Sequence, residues 1–191
     1  MKFLKTLTLL LLIACIIMGG VVFGFFDSFL GGNNSAEVDN TPVEQTTTEP
    51  IAKYQTFVVY RAPADNSEYL VAEHYKIKDN GKTVMENALN ALINTPPKIA
   101  NCTNVFPKGT KVLGLEIKNG TAIVNFNRAF QKRGQGSYNA MMMVGSVVNT
   151  LTEFPEIKRV IFHSEGKEIA VLGGHIDLID PVERNTTLLK K

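Results

Sequence analysis

The side chains able to do chemistry are few and scattered along the chain. His74, His163 and His175 are its only imidazoles, and none has a second His or Cys at metal-ligand spacing. The run NGKT (80–83) ends like a phosphate-binding loop, but G-x-x-x-x-G-K-[ST] requires glycine at position 76, where this chain has Lys76. RGQGS (133–137) offers backbone amides ahead of a predicted helix, yet lacks the third glycine of a dinucleotide loop and reads as an ordinary loop. Neither G-x-S-x-G nor H-E-x-x-H occurs. Glu116, Glu153 and Asp177 make a carboxylate pair for sugar chemistry only if folding gathers them. Met141, Met142 and Met143 are adjacent, so they point about 100° apart on a helix and suit a core better than a cofactor. No catalytic residue, metal ligand or cofactor is assigned, and an interaction role is favoured over an enzyme.

The elements that must position these residues begin after a leader. From Leu7 to Phe26 almost every residue is apolar, Gly or Thr. Twenty residues at about 1.5 Å each span roughly the 30 Å hydrocarbon core of a bilayer. Lys2 and Lys5 precede the run, and the first charges after it are Asp27, Glu37 and Asp39, which places residues 1–6 in the cytoplasm and the rest outside. Leu12-Ile13-Ala14-Cys15 has the form of a lipobox, so lipidation at Cys15 is the alternative to a retained signal anchor over 7–26. The apolar run continues past Cys15, which favours the anchor; both place a domain at the outer face of a cell membrane on a single N-terminal tether.

Residues 27–55 are rich in Thr, Asn, Glu, Pro and Gly and cannot bury enough surface to offset their ordering entropy, so they read as a disordered stalk. Residues 27–50 carry five acidic side chains and no basic ones; residues 51–191 carry 18 Lys and Arg against 13 Asp and Glu. That excess is spread without clustering and does not point to nucleic acid. The only cysteines, Cys15 and Cys102, fall in different compartments, so a packed core rather than a disulfide framework must hold the domain.

Within the domain, TFVVYRA (56–62) and YLVAEHYKIK (69–78) read as strands. Val84, Met85, Ala88, Leu89, Ala91 and Leu92 give a helical stripe that opens on a capping box, Thr83 with Glu86, and stops at Pro96-Pro97. KVLGLEIKNGTAIVNF (111–126) predicts a hairpin about a type I′ Asn119-Gly120 turn, with Lys118 facing Thr121, Ile117 facing Ala122, Leu115 facing Val124 and Leu113 facing Phe126. A second helix is expected over 136–155, with Ser137 as N-cap and Pro155 ending it. Strands over 157–166 and 168–174 are expected about a Gly166-Lys167 turn. The order implies an α+β fold, two helices packed on a mostly antiparallel sheet.

The stretches VVYRA, EHYKI, LINTPP, FPKGTKVLGLEIKNGTAIVNFNRAF, GSYNAMMMVGSVVNTLTEFPEIKRVIFHSEGK and LGGHIDLIDPVER together resemble the GerMN domain family of sporulation and spore germination. The resemblance runs from about Thr56 to Arg184, implying a single GerMN domain over 56–184 and a C-terminal tail over 185–191. It implies an extracytoplasmic domain resembling ring-building motifs, which pack into envelope or sporulation assemblies, including self-assemblies. Some relatives join the domain to cell-wall amidases, so the alternative is a peptidoglycan-binding or hydrolase-accessory protein. Asn125 departs from the family, where Asp is usual. The segment LGGHIDLIDPVER gathers polar groups around two glycines after the last core strand. Gly173, Gly174, His175, Asp177 and Arg184 are therefore the candidate partner-contact edge; a capping segment with Arg184 paired to an acid is the competing view.

Overall fold

The computed structural model describes residues 53–132 and 136–190. The leader 7–26 with Cys15, most of the stalk and the RGQ of the 133–137 loop lie outside the described residues. Among the described residues no helix is long and apolar enough to cross a membrane.

The fold is α+β. Strand β1 (Tyr54–Pro63) pairs antiparallel with β2 (Val71–Lys78), from Tyr54 opposite Lys78 to Arg61 opposite Val71, and its far end pairs with the short β3 (Cys102–Thr103). Helix α1 (Val84–Asn94) follows β2 and opens on the expected capping box. The β4 (Val112–Lys118) and β5 (Thr121–Phe126) hairpin comes next. Helix α2 (Gly136–Leu151), with Ser137 in its first turn, leads into β6 (Arg159–Ser164). β6 pairs parallel with β5. A sixteen-residue helix separates the two strands, and a parallel pair needs a crossover of that size. The short β7 (Lys167–Glu168) and β10 (Val182–Glu183) each pair with β6. β8 (Val171–Leu172) and β9 (Ile176–Asp177) form a separate hairpin. The strands thus divide into a sheet ordered β2-β1-β3, a second ordered β10-β6-β5-β4 with β7 beside β6, and the β8-β9 hairpin.

The core lies where α1 and α2 pack against β1 and where α2 covers the second sheet. Val59, Leu89, Leu92, Met142, Met143, Val147 and Leu151 are buried there, so two of the three adjacent methionines are core residues. Phe126, Phe130 and Phe162 stack, with Phe126 and Phe130 ring centroids 4.0 Å apart. Each such ring is worth about 1.5–3 kcal/mol on burial.

Several details depart from the sequence reading. Ser137 lies inside the first turn of α2 rather than ahead of it as N-cap, and the helix ends at Leu151, four residues before Pro155. A β-bulge between Val112 and Gly114 puts Val112, not Leu113, opposite Phe126. The extra residue throws the Leu113 side chain out to solvent. The later turn is Glu165-Gly166, both at positive φ, one residue before the expected Gly166-Lys167. The strand after it is only two residues long, since Val171 and Leu172 pair with β9 instead. Within the C-terminal tail, residues 185–190 pack against the domain: Leu188 is buried, and the Leu188 carbonyl and Lys190 amide bond Leu70. Gly145 makes this docking possible, because a Cβ there would meet Leu188 Cδ1 at 2.7 Å.

Candidate functional site

Strand alternation puts Glu73 and Tyr75 on one face of β2, toward Arg61 of β1. Arg61 Nε donates to Glu73 Oε2 at 2.7 Å, Nη2 to the Tyr75 hydroxyl at 3.0 Å and to the Ala91 carbonyl at 2.9 Å, and Nη1 to the Leu92 carbonyl at 2.6 Å. The guanidinium thereby caps the last turn of α1, bonding the Leu92 carbonyl and sharing the Ala91 carbonyl with the Thr95 amide. The Lys98 amide donates to the other Glu73 oxygen. Burial works against the Glu73 charge, but Arg61, the Lys98 amide and the Tyr75 hydroxyl outweigh it and hold the carboxyl below its ordinary value. Burial, then Glu73, pushes the nearby Cys102 thiol up, away from the reactive thiolate.

A second assembly of the same parts stands at the end of α2. β10 pairs with β6, and the residue after it, Arg184, reaches the last turn of the helix. Arg184 Nη1 donates to the Asn149 carbonyl at 3.0 Å and to the Thr152 hydroxyl at 3.1 Å; Nη2 donates to the Tyr60 hydroxyl at 2.9 Å and to Glu153. The Tyr60 hydroxyl donates in turn to Glu153 at 2.7 Å, and the guanidinium lies over the Tyr60 ring. Burial again opposes the Glu153 charge, and the Tyr60 and Arg184 bonds again overcome it, leaving that carboxyl below its ordinary value. Burial and Glu153 raise the Tyr60 phenol.

The other nominated residues sit apart from this assembly. Gly173, Gly174 and His175 form the exposed turn of the β8-β9 hairpin, with both glycines at positive φ and the His175 amide donating to the Leu172 carbonyl at 3.2 Å. Asp177 is exposed and accepts the Ile179 amide at 2.9 Å. Among the described residues no hydrogen bond or ion pair joins Arg184 to residues 173–177. Sequence reasoning missed Val171 and Ile179, large apolar side chains left 51% and 60% exposed on and beside this hairpin. The available signal was IAVLGGHIDLI itself, which has more apolar residues than a four-residue ladder can bury.

The remaining motifs resolve into structural roles. In NGKT, the Gly81 and Lys82 amides bond the side chains of Asp79 and Asn80, and Thr83 caps α1, so the run starts a helix. Asn125 Oδ1 accepts the Gly166 amide at 2.9 Å, an acceptor role that an Asp at this position would also fill. His74 and His175 are exposed and His163 half-buried. Among the described residues no three His, Cys, Asp or Glu side chains could hold a metal ion. Glu116, Glu153 and Asp177 stand in three separate settings: Glu116 pairs with Lys118, Glu153 with Arg184, and Asp177 with the Ile179 amide.

The family described as sporulation and spore germination (Germane) matches residues 58–170. The spore germination protein GerM of Bacillus subtilis is 29% identical over 144 residues, covering 73% of this chain, which spans only 37% of that relative's length. Among solved structures, the first GerMN domain of that sporulation protein superposes with a TM-score of 0.57 at 23% identity, covering 70% of this chain and 98% of the other. The tandem GerMN domains match with a TM-score of 0.58 at 24% identity, covering 69% and 46%.

Proposed function

The chain belongs to the sporulation and spore germination family, and from that premise we propose that it is a membrane-tethered, extracytoplasmic GerMN module that works by contact rather than catalysis. It serves a sporulation or germination assembly of the cell envelope. The tether is the apolar run 7–26, with Lys2 and Lys5 on its inner side. Shared family supports the assembly role, whereas the chain spans only 37% of the B. subtilis relative and carries one GerMN unit, so the role proposed is that of a module and not of that whole protein.

One observation carries the contact reading. Both Arg-Glu-Tyr assemblies are spent on closing helix ends, whereas the β8-β9 hairpin presents exposed Val171 and Ile179 beside Gly173, Gly174, His175 and Asp177. Exposed apolar side chains flanking a polar, glycine-containing turn suit approach by a protein partner. Arg184 contributes from behind, by anchoring the segment that follows the hairpin.

The test is site-specific photo-crosslinking of the full-length chain in its own envelope. A benzoylphenylalanine at Ile179 should give one discrete protein adduct, and the same group at the exposed Glu156 should give none. Adducts only to wall polymer would replace this reading with the peptidoglycan-binding one, and equal adducts from both positions would remove the site.

A further inference from the structure

A second surface lies away from that hairpin, between the outer edge of β4 and the exposed side of α1. One wall is Lys82, just ahead of the Thr83 cap, with Glu86, Asn90 and Asn94, spaced by four so that they line one face of α1; the other is residues 111–115 of and before β4. The space between them is about 480 Å³. β4 is the last strand of its sheet and, among the described residues, pairs with β5 alone. The two-residue Asn119-Gly120 turn makes Lys118 and Thr121 a hydrogen-bonded closing pair, so Glu116 and Gly114 also bond inward. The backbone N–H and C=O of Leu115 and Ile117 therefore point to the open edge. Sheet edges are commonly blunted by a covering element or by charges. Here a bulge lies at one end and the Lys118-Glu116 ion pair at the other, and α1 stands across the groove from the bulged end without pairing to the strand.

The charges in the groove are unevenly committed. Glu86 accepts from the Thr83 amide and hydroxyl, and Asn94 bonds Asn90. Lys82 and Lys111 are exposed and form no ion pair among the described residues. The groove thus offers the outward main-chain groups of Leu115, continued by those of Ile117 just beyond it, an exposed Leu113 side chain at the bulge, and two ammonium groups against the single Glu86 carboxylate.

We infer that this groove receives an extended acidic segment of a partner protein, added as an antiparallel or parallel strand along β4. Main-chain bonding to Leu115 and Ile117 supplies the affinity, an apolar side chain covers Leu113, and a carboxylate between Lys82 and Lys111 supplies the selectivity. A second copy of β4 fits less well, since it would bring another Lys111 and Lys118 to the same edge.

A library of displayed nine-residue peptides, panned on the full-length chain in detergent micelles, tests this. Enriched peptides should combine Asp or Glu with β-branched residues, and the tightest should slow hydrogen exchange at residues 111–117. Its affinity should fall at least tenfold for Lys82→Glu/Lys111→Glu and stay within twofold for Lys118→Glu. To separate lost binding from a folding defect of the reversed chain, the same peptide N-methylated at alternate amides is the second arm, and it should lose binding to the unaltered chain. No enrichment, an exchange footprint elsewhere, indifference to the charge reversal in a folded variant, or full binding by the methylated peptide would each overturn the inference. Protection of 111–117 without peptide, rising with protein concentration, would assign the edge to a second copy instead.

Discussion

The two arginine assemblies use one set of parts in two solvents. Arg61 and Arg184 each bond a glutamate, a tyrosine hydroxyl and a carbonyl in the last turn of a helix. The Arg61 and Glu73 side chains are 1% and 3% exposed, whereas those of Arg184 and Glu153 are 27% and 32% exposed. A fully buried pair owes its existence to mutual satisfaction, and removing one member strands a charge. A half-exposed pair loses part of its Coulomb energy to water and can be re-solvated when broken. Arg184, which the sequence offers as a contact residue, is therefore held like a more exposed Arg61, and the hairpin ahead of it is the surface we propose for the partner.

The largest expected effect comes from the buried side. Arg61→Ala should cost about 3–5 kcal/mol, because Glu73 would be left charged and unpaired beneath α1. Denaturation of the full-length chain in detergent should show it as a marked fall in the transition, and a loss under 1 kcal/mol would break the comparison. Arg184→Ala should cost only about 1–2 kcal/mol, the worth of two or three part-exposed hydrogen bonds. Gly145→Ala probes the same C-terminal segment from beneath. Its new Cβ meets the end of the Leu188 side chain, so we expect a loss of about 1 kcal/mol with faster hydrogen exchange at Leu70 and Lys190.

Acid sharpens the contrast further. Glu73 and Glu153 both have folded-state carboxyls below the ordinary 4.5, so each contributes stability that is present above that value and lost as pH falls through the lower one. Unfolding midpoints should hold from pH 7 to about 5 and decline below 4.5. Glu153→Gln should flatten part of that decline without abolishing it, since Glu73 still titrates. A midpoint independent of pH down to 3 would contradict both assignments.

What the sequence made legible was local. The Thr83-Glu86 box and the Asn119-Gly120 turn are each specified within four residues, and both stand as read, with Asn119 and Gly120 at positive φ. Leu113 was misread because alternation carries through a bulge only if the bulge is known, and nothing in VLGLEI marks it except Gly114. The parallel pairing of β5 with β6 depends on which neighbour the crossover helix delivers, a choice made by packing. The docking of Leu188 on Gly145 and Leu70 was invisible for the same reason: its partners are 43 and 118 positions away. Arg61 in a strand reads as a surface charge, and only the carbonyls of Ala91 and Leu92 reveal it as a core residue. At the candidate site the glycine turn was legible, but the division between Arg184 and the hairpin was not, because it depends on a helix end contributed by Asn149.

The smallest expected change in stability belongs to the hairpin, whose exposed Val171 and Ile179 are proposed to meet the partner. Val171→Ser/Ile179→Ser, compared with Arg184→Ala, should be followed by crosslinking from a benzoylphenylalanine at His175 in the full-length, envelope-bound chain, below the unfolding transition of both variants. The account predicts that the hairpin variant melts within about 0.5 kcal/mol of the unaltered chain and loses the adduct, while Arg184→Ala melts earlier and keeps it. A hairpin variant that retains the adduct while folded Arg184→Ala loses it would contradict the account.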